Sequence, residues 1–154
     1  MLAKSILALT VVVAIALQFV PVERTNPLGA GGPNVSVELQ WTLRRSCYDC
    51  HSNETRWPIW AYLAPISWMV VDDVDAARKI LNFSDWAAYE PGVRVALRSM
   101  VGPTTAIHRM PLWYYVSLHP DSRLSQSELE ALAAWAGSAP EEADIPALPA
   151  RPSP

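Results

Sequence analysis

Apolar residues fill the first twenty positions of the chain almost without interruption. Between Ser5 and Val20 the only polar side chains are Ser5, Thr10 and Gln18, and Lys4 stands just before them. A run that is apolar all round predicts a helix suited to lipid. Ser5 to Val20 would span roughly 24 Å as a helix, short of the ~30 Å hydrocarbon layer. Met1 to Ala3 bring it near spanning length, with Lys4 reaching back toward water. No small-residue cleavage site follows, because Gln18-Phe19-Val20-Pro21-Val22 is bulky and holds a proline. An uncleaved signal anchor over 1–20 is therefore expected ahead of a cleaved leader. Lys4 and the α-amine on one side, against Glu23 and Arg24 on the other, favour a cytoplasmic N-terminus. The remainder would then lie outside the cytoplasmic membrane.

Beyond this segment the pattern changes. Residues 21–34 hold three prolines and three glycines and read as a linker. Val35, Leu39, Thr42 and Leu43 recur at helical spacing and predict a helix over 35–45. Residues 52–63 read as an aromatic loop with Trp57, Trp60 and Tyr62 around Pro58. Pro65 opens the clearest helix, with Ile66, Val70, Val74, Ala77 and Leu81 on one face. A short turn is expected around Ser84-Asp85-Trp86. A further helix over 91–101 would bury Val93, Leu97 and Met100 or Val101, and stop at Gly102-Pro103. Residues 104–121 read largely as loop. Ser125 and Glu128 form a capping box that opens a helix running to Gly137, with Leu129, Leu132, Ala133 and Trp135 or Ala136 inward. From Ser138 to Pro154 there are five prolines and no periodicity, which predicts a disordered tail. There is no repeat and no convincing strand. The expectation is an all-α domain over 35–137.

Composition changes this picture little. The chain is 51% apolar and 18% charged, enough to fold one domain. Its net charge of −3, with no basic block, argues against nucleic acid as a partner. The three histidines form no Ser/His/Asp or His/Glu arrangement at a recognisable spacing, so hydrolase chemistry is not expected. Seven tryptophans in 154 residues suit either a small core of large side chains or the covering of a flat apolar group.

The chemistry sits in Cys47-Tyr48-Asp49-Cys50-His51, which contains both cysteines of the chain. C-x-x-C-H is the pattern of covalent haem c attachment. One turn presents both thiols on the same side, where they can add to the vinyl groups of one porphyrin, and His51 becomes an axial iron ligand. The second axial position has several candidates. Met69 and Met100 fall at core spacing on predicted helices and read as packing residues. Met110 lies in a predicted loop, directly before Pro111, and is preferred as the distal ligand. His108 and His119 remain open, as does an iron without a second protein ligand. Arg44, Arg45, Arg56, Lys79, Arg109 and the indoles of Trp57 and Trp68 are candidate propionate donors. Asp49 is expected to face solvent. Trp113-Tyr114-Tyr115 either lines the haem face or anchors a loop.

Several blocks in fixed order resemble the bacterial haem-binding domain family of exported c-type cytochromes. They are Gln18-Phe19-Val20-Pro21-Val22-Glu23-Arg24-Thr25-Asn26-Pro27, the run Cys47 to Thr55 with Trp57-Pro58, Ala64-Pro65-Ile66-Ser67-Trp68, Arg78 to Trp86, and Met110-Pro111-Leu112-Trp113-Tyr114-Tyr115. The resemblance covers roughly residues 18–137. It implies a cytochrome c-like helical fold around one covalent haem, with His51 proximal and Met110 at the matching distal position. Leu112 departs from the pattern, where a second proline would stand after the methionine.

Together these readings favour a one-electron carrier, not a catalyst. It would be a single-pass protein of the bacterial cytoplasmic membrane with its haem domain on the periplasmic side. Its partners would be other exported or membrane redox proteins, met by transient docking. Three alternatives compete. An open iron would make a gas or peroxide sensor or a weak peroxidase. A C-x-x-C thiol–disulfide oxidoreductase ordinarily needs a βαβ setting that is not seen here. A structural zinc site lacks a second ligand pair at finger spacing.

Overall fold

The computed structural model describes residues 2–138. Among them there are seven α-helices and no strand: α1 (Leu2–Leu17), α2 (Val37–Ser46), α3 (Tyr48–His51), α4 (Ile66–Ile80), α5 (Pro91–Ala106), α6 (Trp113–Leu118) and α7 (Gln126–Gly137). Short 3₁₀ turns at Ile59–Tyr62, Phe83–Ala88 and Pro120–Ser122 join them. The all-helical expectation holds. The expected tail lies, apart from Ser138, outside the described residues.

Local sequence explains most helix starts. The Ser36 hydroxyl accepts from Leu39 N at the head of α2. The capping box at α7 forms with both of its bonds, Ser125 to Glu128 N and Glu128 to Ser125 N. Pro91 occupies the first turn of α5, where its missing N–H costs nothing.

The core is built from α2, α3, α5 and α7 around an aromatic stack. Leu39 and Leu43 of α2, Val101 of α5 and Leu132 of α7 surround Tyr48, Phe83 and Trp86. Tyr48 stacks on Phe83 with centroids 5.4 Å apart, Phe83 on Trp86 at 6.2 Å, and Trp86 meets Trp135 at 5.7 Å. Two of the seven tryptophans, Trp86 and Trp135, thus serve an ordinary small core.

Four expectations need correction. First, α5 does not stop at Gly102-Pro103 but continues to Ala106. Pro103 cannot donate to the carbonyl four residues back. Gly102, however, lets α7 approach so closely that a Cβ there would lie 3.1 Å from Ala133 Cα and Ala136 Cβ. Second, residues 104–121 are not mainly loop, since α6 and a 3₁₀ turn lie within them. Third, the buried face of α4 is Ser67, Val71, Val74 and Ala77, whereas Ile66 is exposed. Adjacent valines at 70 and 71 left the register of that face open to tertiary choice. Fourth, the N-terminal helix ends at Leu17 after 16 residues, and among the described residues no helix is long and apolar enough to cross a membrane. Gln18, Phe19 and Val20 continue in looser turn geometry, each bonding three residues back.

Residues 21–34 lie without helix or strand along the domain. Arg78 donates to the Thr25 carbonyl at 2.9 Å and to Asn26 Oδ1 at 3.0 Å, and Asn26 Nδ2 donates to the Thr55 carbonyl at 2.9 Å. Gly31 exchanges backbone bonds with Ser84 and Ala87. Gly29 passes so close to Ser84 that any Cβ would collide with its carbonyl oxygen.

Candidate functional site

Helix α2 runs into Cys47, whose N–H still bonds the Leu43 carbonyl. A fresh turn begins there, with Cys50 N and His51 N both donating to the Cys47 carbonyl, at 3.2 and 2.8 Å. Cys47, Cys50 and His51 therefore stand at i, i+3 and i+4 on one side of a single turn. Both cysteines are free thiols, half-buried. Burial pushes each of them up to about 12, helped at Cys47 by the neighbouring Cys50 and at Cys50 by Asp49 and Asp73. They are protonated thiols at neutral pH.

His51 is pinned. Its Nδ1 lies 3.0 Å from the Leu81 carbonyl. A carbonyl can only accept, so Nδ1 carries the proton and Nε2 keeps its lone pair. Burial lowers the imidazole pKa, against the pull of the Leu81 and Ala77 carbonyls. A neutral imidazole with an oriented ring and a free Nε2 is what a metal ligand requires.

A largely apolar cavity of about 180 Å³ adjoins this turn. Cys47, Cys50, His51, Ala77, Thr105, Met110, Pro111, Leu112 and Tyr115 are among its lining residues. A second cavity of about 90 Å³ is bordered by Cys50, Leu112 and Tyr115 as well, and by Trp60, Ile66, Met69 and His119. The first is smaller than the roughly 300–1,000 Å³ usual for small-molecule sites. The side chains bordering both cavities must part to seat a flat ring.

Met110 thus shares a cavity with His51. The other distal candidates do not. Met69 borders the second cavity and is 53% exposed, and Met100 is 56% exposed on α5, so neither has the core role expected of it. His119 does not line the larger cavity; its Nδ1 donates to the Tyr115 carbonyl at 3.1 Å and its ring stacks on Tyr115 at 4.3 Å. His108 is exposed, with φ of +54°.

Asp49 corrects another expectation. It is 8% exposed, not solvent-facing. It accepts from Arg56 N at 3.1 Å, Arg56 Nε at 3.0 Å, Arg56 Nη2 at 2.9 Å and the Tyr115 hydroxyl at 2.7 Å. Burial pushes its carboxyl up, but the bonds from Arg56 and Tyr115 more than offset this and hold it below its ordinary value. The residue between the two cysteines is thereby tied to α6, the helix that follows the Met110 segment. Tyr114 makes a parallel tie, donating to Asp73 Oδ2 of α4 at 2.8 Å. Of the Trp113-Tyr114-Tyr115 run, the two tyrosines face the cavities and Trp113 is 77% exposed. Sequence spacing offered no signal for these ties, which join residues far apart in the chain.

Three of the proposed propionate donors are already engaged. Arg44 pairs with Glu54, Arg45 with Glu128 and Arg56 with Asp49. The indole nitrogens of Trp57 and Trp68 are buried with no hydrogen-bond partner, as is Ser46 Oγ, whose residue borders the larger cavity. Buried donors without partners are costly, and an acceptor group brought in by a ligand would relieve that cost.

The donor set fits an iron porphyrin. A neutral imidazole and a thioether border one apolar cavity, and two thiols stand beside the imidazole on the same turn. A family model described as a haem-binding domain matches residues 12–138. No curated protein and no solved structure matches the chain. The family match spans most of the sequence and takes in every residue of the cavity, and the chain belongs to the haem-binding domain family.

Proposed function

We propose that this chain is a mono-haem c-type cytochrome that carries single electrons outside the bacterial cytoplasmic membrane. Cys47 and Cys50 hold the haem through thioether bonds, His51 is its proximal ligand and Met110 its distal ligand. When bound, the haem supplies a one-electron ferric/ferrous couple. The protein's part is to grip, orient and shield. The Leu81 carbonyl fixes the His51 tautomer, Met110 offers a soft sulfur that favours the reduced metal, and the apolar walls keep water away. No acid or base is needed for this task, so the chain acts as a carrier and not as a catalyst. Other exported or membrane redox proteins would be its partners, and the apolar α1 would hold it at the membrane.

The observation that carries this reading is that His51, its Nδ1 committed to Leu81, lines one apolar cavity together with Met110 and both thiols. The high thiol pKa values disfavour the oxidoreductase alternative, which depends on a stabilised thiolate. The test is haem staining after denaturing electrophoresis of protein made in cells able to mature cytochromes c. The parent chain should stain and the Cys47→Ser, Cys50→Ser double variant should not. A colourless parent band would refute covalent attachment.

A further inference from the structure

From Trp57 to Val71 the chain carries no charged residue. Within that run Ile59 is 76% exposed, Tyr62 55%, Leu63 54%, Ile66 46% and Met69 53%. Isolated apolar side chains on a surface are ordinary, whereas a contiguous set marks a contact. These five fall within residues 59–69, on two elements that pack together. Ile59 and Tyr62 lie on the 3₁₀ turn that packs against α4, Leu63 follows directly, and Ile66 and Met69 are three apart on α4.

The end of α1 is clamped to this same place. Gln18 Oε1 accepts from Ala64 N at 3.0 Å, and Gln18 Nε2 donates to the Ala64 carbonyl at 3.3 Å. Phe19, 81% exposed, and Val20 come next. Arg24 lies 4.5 Å over the Tyr62 ring and donates to the Ala61 carbonyl at 3.0 Å. The end of α1 is therefore tied through Gln18 to Ala64, in the middle of this uncharged run, with a guanidinium over Tyr62. Beyond it, residues 21–34 are bonded along the domain and do not act as a free tether.

From this geometry we infer that Ile59, Tyr62, Leu63, Ile66 and Met69 form a seating face. It rests in the headgroup and upper acyl region of the bilayer that receives α1. The inference builds on the membrane location proposed above and adds how the domain is held there. A lipid surface is the occupant because the end of α1 is tied to Ala64 within this run, so whatever buries the helix lies beside the face. The chemistry agrees: tyrosine and tryptophan favour the interface, and an arginine beside them can reach lipid phosphates while its stem stays apolar. Ile66 and Met69 also border the smaller cavity that reaches Cys50, so that side of the haem site turns toward the membrane.

The test uses the full-length holoprotein in vesicles of phosphatidylethanolamine and phosphatidylglycerol whose acyl chains carry a photoactivatable diazirine. After illumination, cross-linked peptides are mapped by mass spectrometry. The seating face predicts lipid adducts on residues 59–69 as well as on α1. In the Ile59→Asp, Leu63→Asp double variant the adducts on 59–69 should be lost while those on α1 and the haem absorbance persist. Adducts confined to residues 2–20 in the parent would overturn the inference, leave the membrane location standing, and assign the face to a second copy or a protein partner. Adducts nowhere would overturn both.

Discussion

At His51 one hydrogen bond decides which ring nitrogen is left for iron, because the Leu81 carbonyl claims Nδ1. His51→Ala should prevent accumulation of stable red holoprotein, checked by the visible spectrum of the purified chain. Normal yield of red protein would remove His51 from the site. Met110→Ala should lower the reduction potential and open the iron to carbon monoxide, since a thioether ligand raises the potential of haem iron. An unchanged potential and spectrum would show that Met110 is not a ligand. Tyr115→Phe should remove one charge-assisted bond to Asp49 and cost about 1.5–3 kcal/mol in denaturant unfolding. At this scale the sequence was most readable where chemistry and spacing coincide in a few adjacent residues, as at Cys47, Cys50 and His51. Asp49 was not readable. Its partners Arg56 and Tyr115 lie 7 and 66 positions away, and nothing in a local pattern distinguishes a buried, fourfold-bonded aspartate from a solvated one.

Between elements, the α5–α7 contact and the α2–α7 bridge determine how the helices enclose the site. Gly102 is the point of closest approach, so Gly102→Val should overpack the crossing. A loss of about 1–3 kcal/mol is expected in urea unfolding, and no loss would mean the helices do not touch there. Glu128 joins α7 to α2, accepting from Arg45 Nη2 at 2.6 Å and Thr42 Oγ1 at 3.3 Å while closing its own capping box. Partial burial pushes its carboxyl up, but the bonds from Ser125 and the charge of Arg45 hold it below its ordinary 4.5. A carboxyl depressed in the fold stabilises it fully above the unfolded value and ceases to do so as pH falls through the folded one. Glu128→Gln keeps an acceptor for the capping box but loses the charge facing Arg45, and should cost about 0.2–1 kcal/mol at neutral pH. Below pH 4.5 the difference between variant and parent should shrink, as thermal unfolding followed from pH 7 to pH 3 would reveal. A gap that widened on acidification would contradict the assignment. The capping box was legible because all its partners lie within four residues. The extension of α5 was not, because Gly102-Pro103 is a stop signal locally and is overruled by Ala133 and Ala136, some thirty residues on.

Across the whole molecule the apolar pattern correctly announced helices throughout and an unusual N-terminal segment. The segment read as a membrane crossing forms a helix of 16 residues that ends at Leu17, and the turn after it clamps to Ala64. Residues 21–34 looked like a free spacer, yet Thr25, Asn26 and Gly31 within them bond to Arg78, Thr55, Ser84 and Ala87. Composition cannot separate a flexible linker from a strap whose bonds are supplied by distant residues. The tryptophans serve neither reading as a group: Trp86 and Trp135 join the core stack, Trp60 borders the smaller cavity, and Trp41 and Trp113 are exposed. Intact mass of the protein, purified from cells that mature cytochromes c and denatured before measurement, tests the central claim most directly. The account predicts the mass of the chain plus one haem, retained without native structure. The mass of the bare chain, or of the chain with its two thiols joined as a disulfide, would contradict it.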